Sequence, residues 1–541
     1  MINLFSHSGP KLSQLVEGLS LSRKCPYTAI KGISLDSRAL IAGDLFIALK
    51  GSELDGAKFV PEATKQGAVA VLLETDMSDI GTNVKKIKST IPIIGVENLS
   101  QHVSTIASRF YENPSRRLGI AGVTGTNGKT TCCQLYADLL TRLNASSSNS
   151  SASSASSASS ACGYIGTLGH GISGNVDANH DGSEKGSILG KAPLTTPDAI
   201  TMQKLLDELE KGGCSDVAIE VSSHSLVQHR IAAVKIDTAI FTNLSRDHLD
   251  YHGDFDSYAA AKASLFKSSG LKNAVINVDD NVGKRILADL DPSIRGVSFS
   301  LENITADIHC QSIHLHPDGV HAVIQTPWGF GEVKSSLLGK FNLSNLLAVI
   351  GAVALHEGDL GHQNFQKILT LVPKLKAVIG RMELVSNSTG LAVIVDYAHT
   401  PDALEKALQA LRLHCEGKLW VVFGCGGDRD TGKRPAMGAI AVKYADQVIV
   451  TSDNPRTESP HQIIDQIVEN IKGQCSIESD RRAAINHAVL NAKPGDVVLI
   501  AGKGHENYQI LGADRLVFSD QKEARLALDK RLPLREIGGD S

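Results

Sequence analysis

Gly122-Val-Thr-Gly-Thr-Asn-Gly-Lys-Thr-Thr131 stands between an apolar run, residues 118–123, and a helix-like stretch, residues 132–143. A strand, a glycine-rich turn and a helix in this order are typical of a phosphate-binding loop, because glycines let backbone N–H groups surround phosphate oxygens and the helix adds the positive end of its dipole. Lys129 would neutralise phosphate charge, and the hydroxyl of Thr130 would bind Mg²⁺. The stretch therefore predicts an α/β domain that binds ATP.

One departure from the common phosphate-loop pattern narrows this prediction. The pattern G-x-x-x-x-G-K-[ST] requires glycine where this chain has Val123, and the upstream glycine here is Gly122. The sequence Thr-Gly-Thr-Asn-Gly-Lys-Thr therefore indicates a narrower class of phosphate-binding loop. The alternative interpretation is a strand-to-helix turn that holds a lysine by chance. The loop alone leaves the reaction open.

Length and composition limit the class of protein. At 541 residues the chain is long enough for roughly three or four domains of ~150 residues. A net charge of −4 lacks the basic excess of nucleic-acid-binding proteins, and no apolar run approaches the roughly 20 residues that span a bilayer. We expect a cytoplasmic monomer without a nucleic-acid partner or a membrane span. The nine scattered cysteines predict reduced, mostly buried thiols and neither a disulfide framework nor a zinc site.

Short apolar runs divide the chain into three series of strands. The first series lies before the phosphate loop, in residues 44–50, 68–73 and 91–96; the second follows it, in residues 217–221, 238–242 and 274–278; the third lies in residues 392–396, 419–423, 447–451 and 497–501. Such runs, separated by helix-length segments, predict parallel sheets that are covered on both faces. Each strand of the third series ends in a polar, glycine-rich loop, where open α/β sheets place their ligands.

Residues 145–161 form a low-complexity tract of serine and alanine with a single asparagine. These residues bury too little apolar surface to offset the entropy lost on ordering. We expect a solvated, mobile insertion without a catalytic role, placed between the helix after the phosphate loop and a strand near Tyr164. The alternative is that part of the tract adds to a helix.

Two further strand ends carry side chains suited to metal and phosphate chemistry. Glu220 closes a strand in Ala218-Ile-Glu-Val-Ser-Ser-His224, and a carboxylate there would hold or order Mg²⁺ beside the phosphate loop. The other strand ends in Thr242-Asn-Leu-Ser-Arg-Asp-His-Leu-Asp-Tyr-His-Gly253, where any single histidine is more often a capping or surface residue. Lys262 alone would be interpreted as a solvated lysine on a helix.

These stretches together resemble a known family. The phosphate loop and residues 220–224 and 242–253 are followed by Leu338-Gly-Lys-Phe-Asn342, Gly380-Arg-Met-Glu383 and Asp396-Tyr-Ala-His-Thr-Pro401. The six motifs in this order resemble the Mur ligases of peptidoglycan synthesis over nearly the whole chain. Within that family the chain looks like the members that add the third residue of the stem peptide, in the form that takes meso-diaminopimelate.

The resemblance implies an α/β fold with the three-domain Mur ligase architecture. A UDP-substrate-binding domain would cover residues 1–117. A central ATP-binding domain with a phosphate loop and a parallel sheet would cover residues 118–377, including the insertion at 145–161, and a Rossmann-like amino-acid-binding domain would cover residues 378–541. ATP would lie across an interdomain cleft, and closure would assemble the site.

The resemblance also implies the two sets of residues that bind the larger substrates. Positions matching the ATP site are Gly125, Thr126, Asn127, Gly128, Lys129, Thr130, Thr131, Asn345, Arg381 and Asp396. Positions matching the UDP-substrate site are Ser37, Arg38, Thr195, Thr196, Ser222, Gln228 and Arg230. Taken alone, Asp36-Ser37-Arg38 is explained equally well as a turn with a surface ion pair, and the others as loop caps.

The implied catalytic residues are Lys129, His248 and Lys262, and the implied Mg²⁺ ligands are Thr130, Glu220, His248 and Lys262. Lys262 falls where the family carries a carbamylated lysine, N6-carboxylysine. Carbamylation turns an ammonium into an anion that can bind Mg²⁺ between phosphate and acyl oxygens.

The implied reaction consumes ATP to form an amide. The D-glutamyl γ-carboxylate of UDP-N-acetylmuramoyl-L-Ala-D-Glu attacks the γ-phosphate of ATP, which gives an acyl phosphate and ADP. The unprotonated amine of meso-diaminopimelate then attacks the acyl carbon and phosphate leaves; exclusion of water protects the acyl phosphate. The base that takes the amine proton is left open between His248 and His399.

The predicted specificity depends on Arg456, whose planar guanidinium suits the distal carboxylate of diaminopimelate. The matching pocket positions are Arg429, Asp453, Asn454, Pro455, Arg456, Gly502 and Glu506, and Glu506 would accept the distal ammonium. L-lysine lacks that carboxylate, and an unpaired arginine would cost on the order of 2–5 kcal/mol. The alternative for Arg456 is a surface arginine beside a turn.

Four other functions compete with this prediction. They are an L-lysine-adding ligase of the same family, a folylpolyglutamate-synthase-like ligase, a phosphate-loop kinase, and a scaffold with a degenerate ATP site. A kinase would form a phosphoester rather than an amide and free phosphate. Asp36-Ser-Arg38 and Asp453-Asn-Pro-Arg456 argue against a folate substrate, and the intact phosphate-loop and metal-binding residues argue against a scaffold.

Overall fold

A computed structural model describes residues 9–51, 54–76, 87, 89–148, 161–174, 187–190, 194–316, 318–358, 361–386 and 390–531. The chain divides into two compact units, Met1–Ser298 with Gly351–His356 and Phe299–Ile350 with Glu357–Ser541. The first unit holds both the N-terminal sheet and the phosphate loop. The three-domain boundaries at residues 117 and 377 stay predictions.

The N-terminal sheet is parallel, and its strands pair in chain order. The strands are β1 Gly32–Ser34, β2 Asp44–Ala48, β3 Ala70–Thr75 and β4 Ile93–Glu97, and the helices are α1 Leu12–Leu15, α2 Val60–Lys65 and α3 Leu99–Phe110. Every residue of β2 is buried, as expected of a strand covered on both faces. The core of this sheet also includes Ala199 and Ile200 from the chain beyond the phosphate loop, so the two sheets of the first unit share packing.

The phosphate loop follows a strand in the interior of the second sheet. The strands of this part are β5 Gly119–Thr124, β6 Ala161–Gly166, β7 Gly169–Ile172, β8 Ser187–Gly190, β9 Cys214–Glu220, β10 Thr238–Phe241, β11 Asn273–Asn277 and β12 Arg295–Ser300. The helices are α4 Lys129–Ser148, α5 Ala199–Lys211, α6 Ser223–Val227, α7 Leu249–His252, α8 Phe255–Ala263 and α9 Asn281–Ala288. In the first unit the strand order is β12-β11-β10-β5-β9-β6-β7-β8. Because β9 and β10 flank β5 in parallel, their carboxyl ends lie beside the loop.

The strands around the phosphate loop form the predicted parallel sheet, and antiparallel strands extend it. The strands β6, β7 and β8 pair antiparallel, and β12 runs into the second unit, where β13 Ile308–His316, β14 Gly319–Thr326 and β15 Gly329–Ser335 add two more antiparallel pairs. Two-residue turns join β6 to β7 and β14 to β15, and such short turns cannot make the crossover that a parallel pair needs. The helix α4 includes residues 145–148 of the Ser/Ala tract; residues 149–160 lie outside the described residues.

The second unit contains a mostly parallel sheet that presents its carboxyl ends together. The strands of this sheet are β16 Glu383–Ser386, β17 Ala392–Asp396, β18 Leu419–Phe423, β19 Gln447–Val450, β20 Ser476–Ile477 and β21 Val497–Ala501. Two more strands of the unit, β22 Tyr508–Leu511 and β23 Asp514–Val517, pair antiparallel in a separate sheet. Its helices are α10 Lys340–His356, whose last residues belong to the first unit, α11 Gly361–Leu371, α12 Pro401–Arg412, α13 Lys433–Tyr444, α14 Pro460–Val468, α15 Arg481–Asn491 and α16 Asp520–Asp529. The order is β16-β17-β21-β18-β19-β20, and only β16 runs antiparallel among the described strands of this sheet. The loops after β17, β18, β19 and β21 therefore share one edge.

A buried histidine ties two segments of the second unit together. His414, which follows α12, is 2% exposed. Its Nε2 accepts a hydrogen bond from the N–H of Gly339 at 2.8 Å, and its Nδ1 lies 2.6 Å from the carbonyl oxygen of His316. Since a carbonyl only accepts, Nδ1 carries the proton. The loop before α10 is thus joined to the end of α12.

Two general expectations can be compared with the described residues. Six of the nine cysteines are buried, which confirms the prediction that the thiols are mostly buried. Among the helices of the described residues, none combines the length and the apolar character that a membrane crossing requires.

Candidate active site

The phosphate loop is supported by the loop that follows β10. The N–H of Thr126 donates to the carbonyl of Asn243 at 2.8 Å, and the N–H of Asn127 donates to the Asn243 side chain at 3.0 Å. The hydroxyl of Thr242 donates to the carbonyl of Asn127 at 2.6 Å. Gly125 has a φ of +148°, and a Cβ there would lie 1.9 Å from the Thr242 hydroxyl oxygen, so only glycine fits. The predicted loop residues Gly125, Thr126, Asn127 and Gly128 thus form the strand-to-helix turn, and Lys129, Thr130 and Thr131 begin α4.

Two lysines meet at one carbonyl of this loop. The Nζ of Lys129 donates to the carbonyls of Gly125 and Thr126, both at 2.8 Å. The Nζ of Lys262, on α8, donates to the same Gly125 carbonyl at 2.8 Å. The structure therefore brings together two of the three predicted catalytic residues.

Lys262 is not a solvated helix lysine, because its side chain is 1% exposed. Its Nζ lies 4.7 Å from the ring centroid of Tyr258. Burial, with a further contribution from the positive charge of Lys129, lowers the pKa of Lys262 to about 6. At neutral pH the amine is therefore mostly unprotonated, which is the form that reacts with electrophiles.

Glu220 is buried at the end of β9 beside the phosphate loop. Its carboxylate accepts hydrogen bonds from the N–H of Thr167 at 2.8 Å and from the Thr167 hydroxyl at 3.0 Å, and it also bonds the side chain of Thr130. Burial raises the pKa of Glu220, opposed by the charge of Lys129. A Cβ at Gly166 would lie 2.0 Å from Glu220 Oε1, so a glycine before Thr167 lets the carboxylate reach this position.

His248 lies at the rim of the site. It has a left-handed φ of +52°, and its side chain is 49% exposed and lies 3.5 Å from Asp247. Its ring centroid is 6.2 Å from that of Tyr258, whose ring also contacts Lys262. Tyr258 thus lies between His248 and Lys262.

The residues predicted for the muramoyl-dipeptide form a connected group next to Glu220. The hydroxyl of Thr196 donates to the carbonyl of Glu220 at 2.7 Å and lies 3.2 Å from the Ser222 hydroxyl. Arg230 donates to the carbonyl of Thr196 at 2.8 Å. Gln228 bonds Arg230, and Thr195 accepts from Thr167 at 3.1 Å.

Ser37 and Arg38 lie apart from this group in the N-terminal sheet region. Ser37 is buried and donates to Glu62 at 2.6 Å. The Arg38 side chain is 80% exposed and pairs with Asp36 at 2.9 Å, and this hydrogen bond holds the pKa of Asp36 below its usual range. The geometry is that of a turn with a surface ion pair, and the uridine-side role stays a prediction.

The remaining ATP-side residues lie in the second unit. Asn345 is buried on α10, and its amide lies 3.3 Å from Asn342. Asp396 ends β17 and accepts from the N–H groups of Met382 and Ala398 at 2.7 and 2.9 Å. Burial raises the pKa of Asp396, opposed by these bonds and by Arg381. Arg381 stacks on Tyr397, with its guanidinium carbon 5.1 Å from the ring centroid. His399, the second candidate base, is exposed nearby, with its Nδ1 2.8 Å from the carbonyl of Tyr397.

The residues predicted for the amino-acid pocket lie where the loops after β18 and β19 touch. The N–H of Gly427 donates to the carbonyl of Asn454 at 2.9 Å, and Arg456 donates from Nη1 to the carbonyl of Gly427 at 2.7 Å. A Cβ at Gly427 would lie 1.9 Å from the carbonyl oxygen of Pro455. Arg456 is half-buried and held by this loop, which argues against a free surface arginine.

The other predicted pocket residues surround the same contact. Asn454 donates from Nδ2 to Glu506 Oε2 at 2.8 Å. A Cβ at Gly502 would lie 2.5 Å from Asp453 Oδ2, so these two residues are adjacent. Arg429 is exposed. A Cβ added at Gly426 would lie 4.0 Å from Arg429 Cγ and 2.9 Å from Arg456 Nη1, so both arginines lie close to this glycine. All seven predicted residues therefore belong to the edge where the loops after β18, β19 and β21 meet.

The roles of several residues of the site were not predicted from the sequence. Thr167 holds Glu220, Tyr258 lies between Lys262 and His248, and Asn243 supports the phosphate loop. Asn243 had a usable signal, since it directly follows a strand that neighbours β5. Thr167 had none, because its importance follows from its contact with Glu220, which is distant in sequence. Tyr258 had a signal in its position four residues before Lys262, since residues at this spacing on a helix are neighbours.

Comparison with known proteins places this geometry in a family. Three family models match: the Mur ligase family catalytic domain over residues 29–111, the Mur ligase middle domain over residues 123–353, and the Mur ligase glutamate ligase domain over residues 380–504. The chain is 43% identical over 527 residues to the UDP-N-acetylmuramoyl-L-alanyl-D-glutamate–2,6-diaminopimelate ligase of Coxiella burnetii, covering 96% of this chain and 100% of that protein.

Two further comparisons agree. The protein of the same name from Pseudomonas putida is 44% identical over 508 residues, covering 92% of this chain and 95% of that protein. A solved structure of a UDP-N-acetylmuramoyl-L-alanyl-D-glutamate–2,6-diaminopimelate ligase is 35% identical with a TM-score of 0.68, covering 96% of this chain and 99% of that one. With relatives this similar over nearly their whole length, and with the phosphate loop, the buried lysine and the strand-end loops in place, the chain belongs to the Mur ligase family.

Proposed function

We propose that the chain is an ATP-dependent ligase that joins meso-2,6-diaminopimelate to the D-Glu γ-carboxylate of UDP-N-acetylmuramoyl-L-Ala-D-Glu, with release of ADP and phosphate. The observation that carries the proposal is the match over nearly the whole chain to proteins named as 2,6-diaminopimelate ligases. The chemistry of the strand-end loops supports it.

The phosphate loop would activate the γ-carboxylate. Lys129, now turned onto the loop's own carbonyls, would move to the phosphate oxygens and lower the repulsion between ATP and the incoming carboxylate. The carboxylate oxygen attacks the γ-phosphorus, the bond to the β-phosphate oxygen breaks, and ADP leaves. Thr196 and Arg230, which are connected to Glu220 and to each other, would orient the dipeptide end beside the loop.

The oxygen donors beside the loop fit Mg²⁺. Thr130 offers a hydroxyl and Glu220 a buried carboxylate, and Mg²⁺ in nucleotide sites takes few protein ligands beside phosphate oxygens and water. The predicted set also includes His248 and Lys262 as its carbamate, whose Nζ lies 2.8 Å from the Gly125 carbonyl oxygen of the loop. When bound, Mg²⁺ would offset the charge of the phosphates.

Lys262 is suited to carbamylation because its amine is buried and mostly unprotonated. The nitrogen lone pair attacks CO₂, a C–N bond forms, and one proton is released, which leaves a carbamate anion. The low pKa supplies the reactive amine near neutral pH. The product would be an oxygen ligand close to Glu220 and the phosphate loop.

The second half-reaction needs an unprotonated amine. The amino group of diaminopimelate attacks the acyl carbon, phosphate leaves from the tetrahedral intermediate, and an amide remains. His248 or His399 would take the proton, and both are exposed enough to pass it to water. Arg456 would bind the distal carboxylate and Glu506 the distal ammonium.

Phosphate release tests the proposal. The protein is incubated with ATP, Mg²⁺ and UDP-N-acetylmuramoyl-L-Ala-D-Glu, and meso-diaminopimelate, L-lysine and L-ornithine are compared, with the product identified by mass spectrometry. We expect an amide product and free phosphate mainly with meso-diaminopimelate. Preference for L-lysine, or a phosphorylated product without an amide, would overturn the assignment. The UDP-linked substrate and ATP also favour action in the cytoplasm, and the monomeric state stays a prediction.

A further inference from the structure

Lys503 is a buried lysine behind the proposed amino-acid pocket. It follows β21, and its side chain is 0% exposed. Its Nζ donates to Asn454 Oδ1 at 3.0 Å and lies 3.4 Å from Glu506 Oε2. Burial lowers the pKa of Lys503, and the carboxylates of Asp453 and Glu506 oppose this shift. A buried amine costs stability unless it is well bonded, so these contacts indicate a defined role.

The contacts of Lys503 fix the orientation of the Asn454 side chain. Asn454 Oδ1 accepts from Lys503 Nζ and from the N–H of Ile510, both at 3.0 Å, and Asn454 Nδ2 donates to Glu506 Oε2 at 2.8 Å. A flipped amide would place Nδ2 against two donors and Oδ1 against a carboxylate. The three side chains therefore form a closed hydrogen-bonded triangle.

The triangle also sets the charge of the pocket wall. Lys503 partly offsets the negative charge of Glu506, which would receive the distal ammonium of the amino acid. The distal centre of meso-diaminopimelate carries an ammonium and a carboxylate and is neutral overall, whereas the side chain of L-lysine carries a single positive charge. Because the Glu506 carboxylate is already paired with Lys503, it attracts the single ammonium of L-lysine only weakly. The neutral distal centre gains a second partner in Arg456.

We propose that Lys503 is a positioning residue that sets amino-acid specificity, by orienting Asn454 and Glu506 and by offsetting the charge of Glu506. The inference rests on the proposed function, because it assumes that this pocket binds the amino acid. It adds a residue that does not touch the substrate and acts through two that do.

The test is Lys503→Met, which keeps the volume and removes both the charge and the donor. We expect the KM for meso-diaminopimelate to rise about tenfold, as for loss of a charged hydrogen bond, while the KM values for ATP and the UDP-substrate stay unchanged. We also expect the ratio of kcat/KM for meso-diaminopimelate over L-lysine to fall about tenfold, because the wall becomes more negative. Lys472→Met, at an exposed position of the same unit, is the matched control.

A double-mutant cycle separates positioning from general support. If Lys503 acts through Glu506, the effects of Lys503→Met and Glu506→Gln on the KM for diaminopimelate are non-additive, whereas independent support gives additive effects. Lys503→Gln, which retains an N–H donor without the charge, replaces the methionine variant if that variant does not fold, and it should lower the specificity ratio. An unchanged ratio and additive effects would overturn the inference. A wild-type protein that does not use diaminopimelate would instead overturn the proposed function.

Discussion

Lys262 is the residue whose chemistry differs most from what its position on a helix suggests. It is 1% exposed, and burial beside Lys129 lowers its pKa to about 6. The unprotonated amine therefore dominates above about pH 6, and the ammonium dominates below it. We expect a carbamate on Lys262 near neutral pH that is lost as the pH falls through about 6, because protonation removes the lone pair that binds CO₂.

Carbon-13 NMR after incubation with labelled bicarbonate checks this expectation. Lys262→Ala should remove the carbamate signal and nearly abolish ligation, and short carboxylates should restore part of the activity. Lys267→Ala, which changes an exposed lysine in the turn after α8, should change neither readout. Full activity of Lys262→Ala would exclude the carbamate role.

The second prediction for a single residue concerns the contribution of Arg456 to diaminopimelate binding. Its guanidinium is held against the Gly427 carbonyl, so its position is set before the amino acid arrives. Arg456→Ala should raise the KM for meso-diaminopimelate at least about tenfold, since losing a buried charged partner costs on the order of 2–5 kcal/mol, and should leave the KM for ATP unchanged. Arg456→Lys keeps the charge without the planar fork and should recover only part of the loss. Steady-state kinetics with each substrate varied would reveal an unchanged diaminopimelate KM, which would contradict the specificity assignment.

The sequence predicted which residue types meet, but it predicted little of their surroundings. Lys129, Glu220 and Lys262 were found from motifs, and the structure brings all three to the phosphate loop. The burial of Lys262 was missed, because the phosphate loop, whose Gly125 carbonyl its amine contacts, reaches it only through the tertiary fold. Thr167 was missed for the same reason.

At the scale of elements, His414 links the end of α12 to the loop before α10. Burial lowers the pKa of His414. The hydrogen bond to the His316 carbonyl and the charge of Asp318 oppose this shift, and the charge of the His316 ring lowers the pKa further. The folded state therefore favours the neutral ring, whose Nε2 accepts from Gly339. This contribution to stability is complete above the unfolded pKa of about 6.5 and is lost as the pH falls below it.

Urea unfolding at several pH values tests the link. We expect His414→Gln to lower the free energy of unfolding by about 1 kcal/mol at pH 7.5, and by less at pH 5, where the wild-type histidine has lost part of its own contribution. His461→Gln, at an exposed position, should follow the wild type at both values. Equal differences between wild type and His414→Gln at the two pH values would contradict the proposed tautomer.

Strand positions were the most predictable part of the fold. The apolar runs at residues 419–423 and 497–501 coincide with β18 and β21, because strands buried on both faces leave a continuous apolar signal. The hairpins β6–β7 and β13–β15 were not predicted. In β7 and in most of β14, buried positions alternate with partly exposed ones, and this weaker pattern does not reveal the direction of pairing.

At the scale of the molecule, the low-complexity tract raises the question of whether its particular residues contribute to activity or stability. Replacing residues 149–160 with a glycine-serine segment of equal length should leave kcat and all three KM values within about twofold of the wild type, since composition rather than specific side chains defines such linkers. Steady-state kinetics and the midpoint of thermal unfolding are the measurements. A large loss of activity would assign the tract a function that its composition does not suggest.

The arrangement of whole domains was only partly accessible from the sequence. Motif order predicted a phosphate-loop domain between two others, and the family matches fall in that order. The contacts instead join the N-terminal and phosphate-loop sheets in one unit through residues such as Ala199 and Ile200. Such shared packing depends on contacts across long sequence separations, which no local pattern encodes.

The two loops at Gly427 and Asn454 are each other's backbone partners, and this has a consequence for when specificity arises during folding. Neither loop can keep its shape while the other is open, because each supplies hydrogen bonds that the other needs. Their amide hydrogens should exchange with solvent in one cooperative opening, on a single timescale. A newly synthesised chain would then acquire its affinity for the amino acid in a single step. The proposed pocket would form only when the last long-range contacts at this sheet edge have formed.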